Sequence, residues 1–298
     1  MIDFNLGKEQ FNEYTGSEKK TTMLYGGERY MLKYPDPVRN KKIKGELMGG
    51  LSYKNNQFSE HIGCCIFRSC GFETQETVLG HFTDKEGKKK IVVGCKDFTQ
   101  QGGKLFEINK LGNQTLVNQA KLDATIENVY GVINDCDLIE NKSEILNGFW
   151  DMFVVDALIG NGDRHLGNWG ILVKDSLVKL APVYDCGSSL GAMLDDSTME
   201  EMLQSSNEFK NQAYNKLSCY YMNGKRIFYH EIFKKPPTEL QEAIKRVVPR
   251  IDMEKICNII DSTPHISNVR KEYLKKAVEL RYKQIIVPSF KRCISLET

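Results

Sequence analysis

The chain has 298 residues, 41% of them hydrophobic and 27% charged, with a formal net charge of +2. This is the composition of an ordinary globular protein, long enough to bury its own core in one large domain or two smaller ones. The near-balanced charge gives no global field to draw in nucleic acid, and no run approaches the roughly 18 apolar residues of a membrane span.

The first ten residues, MIDFNLGKEQ, lack a basic segment followed by an apolar run, so no signal peptide is expected. Lys20 to Tyr25 and Arg29 to Tyr34 are short runs of β-formers joined around Gly26-Gly27, a tight-hairpin pattern. In the second run Tyr30, Leu32 and Tyr34 alternate with Met31 and Lys33, which puts Lys33 on the face of Met31. Gln57 to Cys70 has Ile62, Cys65, Ile66 and Cys70 at helical spacing, with Gly71 as a stop and Glu60 near the start. Two more strands are predicted near Glu76 to Phe82 and Ile91 to Cys95, separated by the charged turn DKEGKKK. CKDFTQQGGK then reads as a loop leaving the sheet.

Beyond about residue 105 helices dominate. Ser143 to Ile159 is apolar almost all round, which predicts burial at the centre of a domain. Two strands follow, WGILV and LVKLAPV, and then YDCG. From roughly Asp196 onward the chain reads as helices, ending in a basic amphipathic helix from Asn268 to Ile286. Its basic residues (Arg270, Lys271, Lys275, Lys276, Arg281, Lys283) are read as a solvated face. There is no internal repeat. The layout predicts an α+β, two-lobed, protein-kinase-like fold: a small β-rich N-lobe over 1–95, a hinge or linker over 96–104, and a larger helical C-lobe over 105–298.

The nine cysteines are scattered and include no CxxC pair, which suits free thiols in a reducing compartment better than a zinc site or a disulfide framework. A soluble, cytoplasmic protein is expected, with no integral membrane association and no nucleic-acid partner. Export without a signal peptide stays open.

The chemistry concentrates in GNGDRHLGNW, residues 160–169, directly after the apolar helix. Phosphoryl transfer needs a cation for the nucleotide phosphates, metal ligands, and a carboxylate to accept the nucleophile's proton. In protein kinases the base and a metal-binding Asn come from one loop spaced D-x-x-x-x-N, and a later Asp binds the bridging metal. Asp163 and Asn168 have that spacing, and Asp185 follows two strands later. Such oxygen ligands suit Mg2+. Cys186 stands where a protein kinase has Phe and is read as a small buried residue; Arg164 is read as a prop for the loop.

IGNGDRHLGNWGILV followed by LAPVYDCGS resembles the HipA-like serine/threonine kinases, in which an Asp-Arg-His-x-x-Asn loop replaces the usual His-Arg-Asp order. The resemblance extends back through YTGSEKKTTMLYGGERYMLKYP and SEHIGCCIFRSCGF, and so covers roughly Tyr14 to Leu190. It implies a phosphate loop of Gly16, Ser17 and Lys19, with Lys20 an equal candidate for the phosphate contact. Lys33 is implied to hold the α/β-phosphates and Glu60 to pair with it. Cys95, Lys96, Asp97 and Phe98 become a hinge offering backbone bonds to adenine. Asp163 becomes the base, and Asn168 and Asp185 the ligands of magnesium. His165 is implied to sit near the γ-phosphate, with a backbone hydrogen bond in the loop as the alternative role. ATP and Mg2+ are the implied cofactors, and a Ser or Thr hydroxyl of a protein, this chain included, the implied acceptor. HipA carries an additional N-terminal domain, and regulation through it is not expected in a chain that starts almost at the phosphate loop.

Two other readings come from different classes. GDRHLGN also resembles the catalytic loop of phosphoinositide kinases, but a lipid kinase needs a basic or amphipathic surface near its site, and no such cluster adjoins the loop. A nucleotide-binding interaction protein with little transfer activity is compatible with DCG. The presence of Lys33, Asp163, Asn168 and Asp185 together argues against it. A toxin acting on the translation machinery would differ only in substrate.

Overall fold

The computed structural model describes residues 1–11, 20–35, 55–84, 86–115 and 122–295. Gly16, Ser17 and Lys19 lie outside the described residues.

Among the described residues the N-terminal lobe is built on a mixed sheet of six strands. They are β1 (Ile2–Asp3), β2 (Lys8–Gln10), β3 (Lys20–Tyr25), β4 (Glu28–Lys33), β5 (Thr77–Thr83) and β6 (Lys89–Lys96), in the order β1-β5-β6-β4-β3-β2. Only β1 and β5 pair in parallel. The β3–β4 hairpin turns on Gly26 and Gly27 at φ 59° and 82°, the left-handed pair that a two-residue hairpin needs.

The alternation in β4 sorts its side chains. Tyr30, Leu32 and Tyr34 join Phe4, Met23 and Val92 in a small core on one face of the sheet. Met31 packs against the main core on the other face, and Lys33 is buried there with only 3% of its surface exposed. That face is covered by α1 (Asn56–Ser69).

The helical lobe begins after a connection over 97–103. β7 (Lys104–Glu107), β8 (Gly170–Lys174) and β9 (Leu177–Leu180) form a separate antiparallel sheet. The helices α2 (Ile108–Thr115), α3 (Ile126–Asp135) and α4 (Lys142–Ile159) precede β8. Nearly every side chain of α4 from Phe149 to Ile159 is buried, as its all-round apolarity predicts. Asn141 caps its N-terminus by accepting from the Glu144 amide, and Gly160 ends it at φ 67°. Residues 73–75 join the lobes a second time: the Gln75 amide donates to Val183 O at 2.8 Å and the Val183 amide to Glu73 O at 2.8 Å.

The region beyond Asp196 departs from an all-helical reading. After α5 (Asp196–Gln204) and α6 (Ser206–Tyr214) comes a hairpin, β10 (Leu217–Met222) and β11 (Lys225–Phe228), turning on Asn223 and Gly224 at φ 52° and 73°. Then follow α7 (Tyr229–Ile232), α8 (Thr238–Val247), α9 (Met253–Ser262), α10 (Asn268–Arg281) and α11 (Val287–Ser295), with a π-helical turn between the last two over Tyr282–Ile286. The basic face of α10 is also not simply solvated. Arg270 and Arg281 are 4% and 2% exposed. Arg270 pairs with Asp196, and Lys275, Lys276 and Lys283 with Asp261, Glu272 and Glu279. Among the described residues no helix is long and apolar enough to cross a membrane, and all nine cysteines are free thiols.

Candidate active site

Four chain segments meet where β4, α1, the loop after α4 and the loop after β9 converge. Lys33 Nζ lies 3.1 Å from Glu60 Oε2 and 2.8 Å from Asp185 Oδ1. Glu60 uses its other oxygen to accept from the Asp185 amide at 3.0 Å. It is fully buried, one turn into α1, so it is no helix-end carboxylate but the bridge between the lysine and the backbone at Asp185. Burial works against the Lys33 ammonium, but the charges of Asp185 and Glu60 outweigh it and hold the group well above its ordinary range. Burial likewise pushes the Asp185 carboxyl up, yet the Lys33 charge and hydrogen bond win and hold it down at about 2. Asp185 sits at φ 58°, a left-handed conformation that a non-glycine residue adopts only when its surroundings enforce it. Lys20, opposite Lys33 in the β3–β4 register, adds its charge in the same direction.

The loop 160–169 is organised from below. Asp156 on α4 and Arg164 are 1% and 2% exposed and form a two-point ion pair, Nε to Oδ2 at 2.9 Å and Nη2 to Oδ1 at 3.1 Å. The same guanidinium donates to Asn168 O at 3.0 Å, to Tyr184 O, and to Cys186 Sγ at 3.3 Å. One side chain thus ties the Asp163–Asn168 loop to the Asp185 loop, the prop predicted for Arg164. Asn161 donates to Asp156 at 2.9 Å and accepts from the Asp163 amide at 3.1 Å. Asn168 Nδ2 donates to Asp163 O at 2.7 Å. The Asp163 carboxylate is exposed and receives only a long hydrogen bond, 3.4 Å, from the Ser188 hydroxyl.

His165 Nδ1 accepts from the Gly167 amide at 3.0 Å, the loop-backbone bond named as one of its two expected roles. Cys186 is fully buried against α1, and a Cβ placed on Gly63 would lie 2.6 Å from the Cys186 Cβ. That contact is why residue 63 is a glycine. Several backbone groups of the expected adenine hinge, Cys95 to Phe98, already have partners within the chain. The Lys96 amide donates to Glu76 O and its carbonyl accepts from Gln75, while the Asp97 amide donates to Arg29 O. Cys95 is buried within β6. Phe98 is half-buried, its ring 6.0 Å from that of Tyr184.

Sequence reasoning missed Asp156, Asn161 and Ser188. Asp156 had a signal, a lone carboxylate in the apolar run Met152 to Ile159, because a charge buried in a helix must find a partner. Nothing in the sequence marked Ser188.

The family model described as the HipA-like C-terminal domain matches residues 13–260. The serine/threonine-protein kinase CtkA of Helicobacter pylori (strain J99) is 36% identical over 284 residues, 93% of this chain and 83% of that protein. The crystal structure of a Helicobacter pylori proinflammatory kinase CtkA superposes with a TM-score of 0.88 at 34% identity, covering 100% of this chain and 99% of that one. HipA of Shewanella oneidensis MR-1, solved with HipB and operator DNA, shares the fold at a TM-score of 0.56 and 13% identity, over 96% of this chain and 68% of HipA. With its two-lobed kinase-like fold, the chain belongs to the HipA-like C-terminal domain family.

Proposed function

We propose that this chain is an ATP- and Mg2+-dependent protein kinase that phosphorylates Ser or Thr hydroxyls, its own included. The observation that carries the reading is the joining of Lys33, Glu60 and Asp185 to the Asp163–Asn168 loop through the single guanidinium of Arg164. CtkA, its 36% identical relative, bears the name of a serine/threonine-protein kinase.

The donor set suits the cofactor. Among the described residues no group of three or more His, Cys, Asp or Glu side chains stands ready to hold a metal by itself. Mg2+ is commonly held by one or two protein oxygens together with substrate phosphates, and Asn168 and Asp185 would supply them here. When bound, magnesium neutralises charge on the phosphate oxygens. Lys33 grips the α/β-phosphates and Glu60 fixes its position. Gly16, Ser17 and Lys19 complete the phosphate cradle, and the segment 96–104 with Phe98 borders the adenine. Asp163 accepts the hydroxyl hydrogen bond, orients the oxygen and takes its proton late. His165 holds the loop in shape through Gly167. Most of the catalysis then comes from positioning and fixed charge.

The test is labelling from γ-labelled ATP with Mg2+, offering a protein substrate and phosphatidylinositol vesicles side by side. Label on protein Ser or Thr supports the reading. Label confined to lipid would replace it with the phosphoinositide-kinase alternative.

A further inference from the structure

Buried cations in this protein come with carboxylates. Lys33 has Glu60 and Asp185, Arg164 has Asp156, and Arg270 has Asp196. Arg281 and Lys216 are the exceptions among the described residues. Arg281 is 2% exposed. Its Nε donates to Leu158 O at 2.7 Å and its Nη1 to Ala213 O at 3.2 Å, while its buried Nη2 has no hydrogen-bond partner. Lys216, half-buried, forms no ion pair. A buried guanidinium N–H without an acceptor is costly, and the charge of Arg281 also works against the Lys216 ammonium.

Lys216 lines one cavity, and Arg281 lies behind its wall. A pocket of about 200 Å3 has Asn56, Ser188, Gln212 and Lys216 on its polar side and Ala192, Met193 and Leu194 on its apolar side, with Gly160 and Gly187 in its wall. Arg281 underlies its Gly160 wall: a Cβ on Gly160 would lie 3.1 Å from the Arg281 Cζ. The pocket adjoins the proposed base, because Ser188 is the residue whose hydroxyl reaches Asp163 at 3.4 Å. Lys216 leads into β10, whose Leu217 carbonyl lies 3.2 Å from where a Gly162 Cβ would stand. The volume is below the range of about 300–1,000 Å3 usual for whole small-molecule ligands, and fits one side-chain acid better than a nucleotide.

We propose that this pocket takes an anionic side chain of the polypeptide substrate, carboxylate or phosphate, close in sequence to the Ser or Thr acceptor. Lys216 provides the direct contact and Arg281 the underlying field. The assignment rests on the kinase reading, since the acceptor hydroxyl is what places a peptide at Asp163. Burial, and then the charge of Arg281, push the Lys216 ammonium down to about 8. Burial pushes Arg281 down to about 10. An anion between Lys216 and the Gly160 wall opposes both effects.

The test uses the full chain and a degenerate peptide library with a fixed Ser, with Mg2+ and ATP. Wild type, Lys216→Met and Lys216→Arg are compared; Arg281 is left intact because its removal endangers the fold. Wild type is expected to enrich Asp, Glu or phosphoserine at one flanking position. Lys216→Met loses that enrichment and Lys216→Arg restores it. For the best acidic peptide KM rises about tenfold in Lys216→Met with kcat retained, the effect of one charged hydrogen bond. A wild type without acid selection, or one whose selection survives in Lys216→Met, overturns the proposal. A second measurement needs no turnover: the nitrogen resonance of the Lys216 ammonium is followed as N-acetyl-phosphoserine amide or inorganic phosphate is added. No shift with the phosphoserine probe overturns the pocket even in an active kinase. A shift in a protein that labels nothing supports the pocket and removes the kinase reading instead. Equal response to inorganic phosphate with no library selection overturns the assignment to substrate.

Discussion

Asp163 and Asp185 are both carboxylates of the cleft, but their surroundings differ and so do their expected roles. Asp163 is exposed and lightly bonded, free to meet an incoming hydroxyl. Asp185 is gripped by Lys33 and held in a left-handed conformation. Asp163→Asn is therefore expected to leave ATP affinity nearly intact while lowering turnover by roughly 10²–10⁴-fold, the span of general-base catalysis. Asp185→Asn is expected to weaken Mg·ATP binding. Calorimetric nucleotide titration beside single-turnover labelling separates the two, and equal loss of affinity in both variants contradicts the assignment. The pairing of Asp185 also has a pH signature. Its carboxyl titrates at about 2 in the folded chain, against an unfolded value near about 4. The folded state thus binds fewer protons, so the contribution is complete above about pH 4 and lost as the pH falls toward about 2. Denaturant unfolding of wild type and Asp185→Asn across that window is expected to show their stability difference shrinking with acid; a constant difference argues against the pairing.

At the scale of elements, the loop of residues 160–169 is shaped by α4. Asp156 faces inward from a helix that is otherwise apolar, and Arg164 folds back onto it. Removing one member of a buried pair leaves the other charge uncompensated, so Asp156→Ala is expected to destabilise the protein by about 3–5 kcal/mol. Thermal unfolding checks this, and a loss near zero would show that solvent reaches Arg164. Cys186→Phe, which restores the residue of ordinary protein kinases, is expected to destabilise by about 1–3 kcal/mol through overpacking, since Cys186 is fully buried; an unchanged Tm contradicts the packing argument. The elements that were legible in the sequence share a physical reason. Period-2 alternation put Lys33 on the Met31 face, a 3.6-residue period outlined α1, and continuous apolarity marked α4 as central. The hairpin β10–β11 was not read although Asn223-Gly224 is a strong turn pair, because its short strands lie between amphipathic helices. The burial of Arg270 and Arg281 was not legible either, since a helix surface does not reveal what packs over it.

At the scale of the molecule, Lys33 and Glu60 come from the sheet-bearing lobe, and Asp163, Asn168 and Asp185 from the helical one. A nucleotide held by both sets binds only the folded chain and is expected to stabilise it. The shift is about 2.7 kcal/mol at a ligand concentration of 100 times Kd. Mg·ATP should therefore raise Tm in wild type and less in Lys33→Met; an equal rise in both would place the nucleotide elsewhere. The two-lobed plan was legible from the order of strands and helices. The joining of the lobes through Glu60, Asp185 and the Glu73–Val183 pairing was not, because those contacts link residues more than a hundred positions apart.

The most direct test of the proposed kinase is the purified chain with Mg2+ and γ-labelled ATP, wild type beside Asp163→Asn, analysed for phosphate on Ser and Thr. Label in the wild type alone is the predicted result. Equal label in both, or ATP bound with no label on any protein, contradicts it.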